Sequence, residues 1–233
     1  MSKTKLPELI IGDLVIELPI IQGGMGVRVS TAKLAAAVSN EGAFGVIASV
    51  GLGEEKQENL TYEERSKLAF REMIRGTKRL TNKKFGVNIM CALTNYDDLA
   101  RVAIEEEVGA IISGAGLPLH LPSLNKNSKT KLIPIISSAR AAELICKTWL
   151  RHYDILPDAS ILVSIPFKLG ILISVITKSK VYFFAISATS KPLSTAVILY
   201  PSLFSKFSKL FKTYLSSSIN KTLLFISHLL DHF

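Results

Sequence analysis

Cysteine is nearly absent from this sequence: Cys91 and Cys146 are the only two in 233 residues. Two thiols that far apart exclude a disulfide framework and a multi-cysteine metal centre, and they read as a reducing, cytoplasmic home. The opening Met1-Ser-Lys-Thr-Lys-Leu-Pro-Glu8 lacks an apolar run, so no secretory signal is expected. Acid is missing from the last third, where residues 160–233 hold one acidic residue, Asp231, against eight lysines and no arginine. The first 159 residues are nearly balanced, with 20 basic and 18 acidic side chains, so the net charge of +9 belongs mainly to the tail. A nucleic-acid surface interleaves arginine with aromatics, whereas these lysines are scattered among serines and aliphatics; no nucleic-acid partner is expected. Glycine is also unevenly spread, with 13 in the first 159 residues and only Gly170 after them.

What is present in the first 159 residues is a strand–loop–helix pattern, repeated. Short apolar runs at 19–22, 45–50, 85–90, 110–113 and 132–136 read as buried strands, and Asp158-Ala159 would open a sixth. Between them, residues 31–40, 61–80, 96–107 and 139–150 have helical spacing, the first with Ser30 as its expected N-cap and Gly42 just past its end. Continuous apolar strands alternating with amphipathic helices imply a parallel sheet. Open doubly wound sheets and closed (β/α)₈ barrels both fit. The barrel is preferred, because the strands end in Gln22-Gly-Gly, Asn88 and Ser113-Gly, and no βα turn carries a dinucleotide fingerprint. The expected fold class is α/β, an incomplete (β/α)₈ TIM-type barrel of five to six βα units, followed by an unrelated tail.

The tail has a different composition, with 14 serines set among isoleucine, leucine, phenylalanine and lysine. Residues 161–177 and 181–200 are apolar, but Lys168 and Lys191 interrupt them. A charge at the centre of a spanning helix costs about 2.5–3.5 kcal/mol, so neither is read as a transmembrane helix.

Pro19-Ile-Ile-Gln-Gly-Gly-Met-Gly-Val27, followed by Leu34-Ala-Ala-Ala-Val-Ser-Asn-Glu-Gly42, resembles the opening of the nitronate monooxygenase family, to which enoyl-acyl carrier protein reductase II is related. The resemblance continues at Phe85-Gly-Val-Asn-Ile-Met90, Ile111-Ile-Ser-Gly-Ala-Gly-Leu-Pro118 and Pro134-Ile-Ile-Ser-Ser-Ala-Arg140, and is last visible at Leu156-Pro-Asp-Ala159. It covers residues 7–159, and five motifs in order are far more specific than any one. It implies a barrel that binds FMN at the C-terminal ends of its strands and an activity that oxidises a small alkyl nitronate with O₂ to a carbonyl compound and nitrite. By the same resemblance, the FMN contacts fall on Gln22, Gly23, Gly24, Met25 and Gly26 in the first loop, on Asn88, and on Ser113 and Gly114. Glycines suit that first loop because a main chain without Cβ atoms can approach a flat ring closely. An amide such as Asn88 can donate and accept at once.

The resemblance stops at residue 159. The family's catalytic histidine and its phosphate-binding loops have no counterpart in Ser160-Ile-Leu-Val-Ser-Ile-Pro-Phe-Lys-Leu-Gly-Ile-Leu172, and the next histidine is His228. No catalytic residue is therefore assigned. The abrupt change reads as a frameshifted or truncated gene product of 1–159 plus a tail, with little or no activity. Read one base out of register, codons for Leu169-Gly-Ile-Leu172 permit Gly-His-Leu, though not the second glycine of the family motif. An open barrel with two free edges is expected to aggregate.

Two alternatives are carried. The tail is a membrane-associating or interaction module, since Phe204, Phe207 and Phe211 share a helical face beside Lys206, Lys209 and Lys212; or the chain is a fragment of an enoyl-reducing flavoenzyme. Of the remaining residues, His120 and His152 read as solvated, Cys91 and Cys146 as small core residues, and Glu105-Glu-Glu107 as a solvated helix face and not a metal site.

Overall fold

The computed structural model describes residues 8–54 and 59–164 and, beyond them, the backbone of residues 171–177, 181–186 and 197–199. Chain order is β1 (Leu9–Ile11), β2 (Leu14–Ile16), α1 (Ala32–Asn40), β3 (Val46–Ala48), α2 (Tyr62–Leu80), β4 (Gly86–Met90), α3 (Tyr96–Glu105), β5 (Ala110–Gly114), α4 (Leu121–Leu124), β6 (Lys131–Ile136), α5 (Ala139–Tyr153), β7 (Ala159–Ser164), β8 (Ile171–Thr177), β9 (Val181–Ile186) and β10 (Val197–Leu199). Strands β3 to β7 lie side by side in chain order, all parallel. This is the expected α/β fold, part of a barrel.

Helices α2 and α5 begin where the sequence supplies a side-chain cap. Thr61 and Glu64 form a reciprocal capping box at the start of α2, and the Ser138 hydroxyl accepts from the Ala141 N–H at the start of α5. The two faces of the parallel sheet then bury separate cores, as the period of two along a strand requires. Ile47, Val87, Ile89, Ile111, Leu132 and Ile136 face the helices and pack with Phe70, Ile74, Leu99, Ile145 and Trp149. The alternate residues Val46, Ala110, Ile112, Ile133, Ala159 and Ile161 face what would be the barrel interior, and pack with Leu9, Ile11, Leu14 and Ile16 of the antiparallel hairpin β1–β2. The Trp149 indole, fully buried, donates to the Pro118 carbonyl at 3.0 Å and ties α5 to the loop after β5.

The hairpin sits where the parallel strands begin. Asp13 pairs with Lys131 at the start of β6, and Glu17 pairs with Lys83 just before β4 at 2.5 Å. The sequence reading has no hairpin here, because two three-residue strands are too short for an alternation to stand out.

Several boundaries differ from expectation. The run 19–22 contributes one parallel bridge, Ile21 with Phe44, and not a full strand. The N-cap position of α1 is Thr31, which makes no side-chain capping bond, and not Ser30, whose hydroxyl is used elsewhere. Helix α3 ends at Glu105, since Glu107 is left-handed (φ +49°), whereas α5 runs on to Tyr153. Glu106 is a correction: it is no solvated face residue but is buried and bound by Arg71, Arg75 and Lys78 at 2.8–3.4 Å. Burial alone would raise its carboxyl pKa, but the Arg75 and Arg71 hydrogen bonds outweigh that and hold it below the usual carboxylate range.

After β7 the topology changes. Strand β8 returns antiparallel to β7, β9 is antiparallel to β8, and β10 to β9. Among the described residues no helix is long and apolar enough to cross a membrane. The phenylalanine–lysine stretch 204–212 lies outside the described residues.

Candidate functional site

The strand ends opposite the hairpin carry the residues singled out above. Gln22 follows the Ile21–Phe44 bridge, and its side-chain amide extends the pairing: Oε1 accepts from the Val46 N–H at 3.2 Å, and Nε2 donates to the Val46 carbonyl at 3.0 Å. The side chain thus stands in for a strand neighbour that β3 would otherwise lack. The chain then enters the glycine loop. A Cβ on Gly23 would meet nothing within 4 Å, whereas one on Gly24 would come within 2.9 Å of Asn88 Cγ and closer still to its Cβ. Only a glycine lets the loop lie directly on the end of β4. The loop and Asn88 are therefore brought together, although they lie more than sixty residues apart in sequence.

Asn88 sits between Ala48 of β3 and Ile112 of β5, on the interior face of the sheet. Among the described residues its amide makes one long hydrogen bond, Nδ2 to the Ile112 carbonyl at 3.4 Å. The N–H groups of Gly23 and Gly24 make no hydrogen bond to the described residues. Polar groups with spare capacity are thus gathered at one point.

Beyond Gly24 the loop is tightly turned. Val27 (φ +50°) and Arg28 (φ +63°) are both left-handed, a conformation that costs a non-glycine residue about 1–2 kcal/mol. The turn is held by Val27 N–H to the Val50 carbonyl at 3.0 Å and by Ser30 N–H to the Met25 carbonyl at 3.0 Å. Gly51 (φ +79°) fits beneath it: a Cβ there would lie 2.9 Å from Val27 Cα. Met25 and Val27 are 62% and 70% exposed, so this end of the molecule presents apolar surface.

Ser113 and Gly114 lie at the end of β5, but their side-chain positions alternate. Gly114 faces inward against Ile135. The Ser113 hydroxyl is turned to the helix side, where it bonds the buried Tyr96 hydroxyl at 2.9 Å. Burial raises the Tyr96 phenol pKa far above its ordinary value and likewise pushes up the Cys91 and Cys146 thiols, so none of the three is ionised near neutrality. His120 is exposed, with its Nε2 2.6 Å from Asp97 Oδ1. His152 is exposed as well. Among the described residues no group of three His, Cys, Asp or Glu side chains could hold a metal ion.

Ser30 belongs to this site without a signal in the sequence, because a serine directly before a helical run looks like an N-cap. The left-handed pair Val27-Arg28 also left no signal, since neither residue type favours that conformation.

A five-stranded parallel sheet with helices on one face and a glycine loop at its C-terminal end defines an α/β protein of the barrel class. More specifically, the chain belongs to the nitronate monooxygenase family, whose sequence profile matches residues 8–164. Among curated proteins it is similar to the nitronate monooxygenase of Pseudomonas aeruginosa, with 42% identity over 86 residues, 37% of this chain and 20% of that protein. It is also similar to (3aS,4S,5R,7aS)-5-hydroxy-7a-methyl-1-oxo-octahydro-1H-indene-4-carboxyl-CoA dehydrogenase of Mycobacterium tuberculosis, with 30% identity over 143 residues, 61% of this chain and 35% of that protein. Among solved structures it is similar to FabK from Thermotoga maritima, with 36% identity over 57% of this chain and 38% of that one and a TM-score of 0.48. The chain spans between 20% and 35% of the length of the curated relatives it matches.

Proposed function

We propose that residues 8–164 form the ring-side half of an FMN site in a nitronate-oxidising flavoprotein. The observation that carries this reading is the contact of Gly24 with Asn88, which gathers two loop N–H groups that have no partner among the described residues and an amide with one long hydrogen bond to them, at the C-terminal end of a parallel sheet. These groups fit one edge of an isoalloxazine, which offers both acceptors and a donor. The fit is one-sided. In barrels the phosphate is held by loops after the seventh and eighth strands and by a helix N-terminus. Here an antiparallel strand follows β7, and no such helix lies among the described residues after it.

The residues of this chain would bind and orient the flavin. Residues 22–26 would lay their main chain along the ring, Asn88 would address its polar edge, and the end of β5 at Ser113 and Gly114 would wall the pocket through its backbone. FMN, when bound, supplies the electron acceptance from the nitronate and the reaction with O₂; that redox chemistry is the cofactor's. No described side chain stands as a base at this site: Asn88 cannot take a proton, and His120 is paired with Asp97. The chain is therefore proposed to hold flavin weakly and to turn over little or no nitronate. We further propose that 1–159 is the family-derived unit and that 160–233, through its change of composition, is a frameshifted tail.

The test is FMN titration of the full chain, followed by flavin fluorescence, with nitrite release from an alkyl nitronate measured in parallel. Saturable quenching with negligible nitrite is expected. Absence of any flavin signal at millimolar FMN would sink the reading, and rapid nitrite release would overturn the proposed inactivity.

A further inference from the structure

The Ser30 hydroxyl is almost completely buried, at 3% exposure for the residue, and all of its hydrogen-bonding capacity is spent on one loop. It donates to the Gly23 carbonyl at 3.1 Å, accepts from the Met25 N–H at 2.9 Å, and accepts from Gln22 Nε2 at 2.9 Å. A hydroxyl has one donor and two acceptor lone pairs, so none is left over. The backbone of the same residue adds two more ties, with its N–H on the Met25 carbonyl at 3.0 Å and its carbonyl accepting from the Ala48 N–H at 3.2 Å. Ser30 and Met25 are therefore bonded reciprocally, closing the turn that contains left-handed Val27 and Arg28.

Gln22 is the other half of this arrangement. Its amide grips both polar groups of Val46 and reaches Ser30 with the same nitrogen, so its side chain is committed to protein partners. The hydroxyl and the amide together fix which way the peptides of residues 23–25 face. With the Gly23 carbonyl and the Met25 N–H drawn inward to Ser30, the N–H groups of Gly23 and Gly24 are left without a partner among the described residues.

We infer that Ser30, steadied by Gln22, is a positioning residue that directly holds the backbone of residues 23–25 at the proposed flavin site. It does not itself touch the ring. The inference rests on the proposed FMN site for its purpose, but its geometry is independent of that reading, and the experiment separates the two.

Amide hydrogen exchange at Met25 is measured in the full chain as wild type, Ser30→Ala, Ser30→Thr and Gln22→Met, alongside FMN affinity and the thermal midpoint of each. In Ser30→Ala the Met25 N–H is expected to exchange at least about tenfold faster while the core amide of Ile111 is unchanged. FMN affinity is expected to fall about tenfold or more, a loss of roughly 1.4 kcal/mol. Ser30→Thr keeps the hydroxyl and is expected to restore both. Gln22→Met removes one of the three bonds to the Ser30 hydroxyl together with both bonds to Val46; its Met25 exchange is expected to fall between wild type and Ser30→Ala, and it stands in should Ser30→Ala not fold. A merely structural serine would lower the thermal midpoint without selective exposure of Met25 or rescue by threonine, and that pattern overturns the inference. Unchanged protection of Met25 in Ser30→Ala overturns it too. A wild-type chain that binds no FMN instead defeats the functional reading, and the role of Ser30 is then decided by the exchange data alone.

Discussion

Where the parallel strands begin, Leu9 and Ile11 of the hairpin are completely buried, and Lys131 and Lys83 clasp Asp13 and Glu17. Where the strands finish, Met25 and Val27 stand more than half exposed, Val27 and Arg28 are left-handed, and Asn88 has one long hydrogen bond. The two ends belong to the same sheet and differ by only a few residues along each strand. The lower end spends its side chains on apolar burial, and the upper end spends its glycines and hydroxyl groups on holding a backbone in one shape. Barrel proteins generally keep stability at the first end and chemistry at the second. An incomplete barrel that keeps this division keeps the conditions for a ligand site at its upper end.

If the lower end is the stabilising one, truncating its buried side chains should carry the largest cost. Ile11→Ala removes a completely buried side chain between hairpin and sheet and is expected to cost about 2–5 kcal/mol, read from urea denaturation. A loss under about 1 kcal/mol would mean that the hairpin is not part of the cooperative core. At the upper end Gly51→Ala is expected to cost about 1–3 kcal/mol, because alanine would be left-handed and would press on Val27. The same substitution should also lower FMN affinity, which Ile11→Ala should not do at temperatures where both variants are folded.

The Glu106 cluster sharpens the picture at a third place, between α2 and α3. Its carboxyl is held below the ordinary value of 4.5, so the folded state keeps it ionised where the unfolded chain would protonate it. The stability it contributes is present above that ordinary value and is lost as pH falls through the folded one. Glu106→Gln is expected to cost about 1–2 kcal/mol near neutrality, through charged hydrogen bonds to partly exposed arginines, and less at high salt. The gap between wild type and variant should shrink in denaturant midpoints taken from about pH 6 down to about pH 3. The smallest effect is expected for Val27→Gly. Relief of left-handed strain is offset by the larger unfolded-state entropy of glycine, so a gain of about 0.5 kcal/mol is expected by thermal denaturation, with weaker FMN binding.

The parallel half was largely legible from sequence. Ile111, Leu132 and Ile136 lie in continuous apolar runs that fit only buried strands, and Thr61 with Glu64 marks a helix start by its chemistry. The closing hairpin was not, because its burial depends on Val46, Ala110 and Ile133, which are distant in sequence. The same holds for Glu106, whose three cationic partners come from another helix: a glutamate between two glutamates has no local sign of burial. At the site, the glycine loop and Asn88 were visible as types at strand ends. Their mutual contact and the reach of Ser30 back to Gly23 were not, since both depend on how the loop folds over β3 and β4. Ser113 shows the limit of reasoning by strand end alone. Its place is as expected, yet the period of two turns its hydroxyl to Tyr96.

In the proposed function the upper end of this sheet binds a flavin ring while the lower end only stabilises. Hydrogen exchange of the full chain, mapped with and without saturating FMN, addresses it most directly. The account predicts added protection in residues 22–30 and 86–91 and no change in the hairpin strands β1 and β2. Protection spread evenly over both ends, or none at Gly23, Gly24 and Asn88, would contradict it.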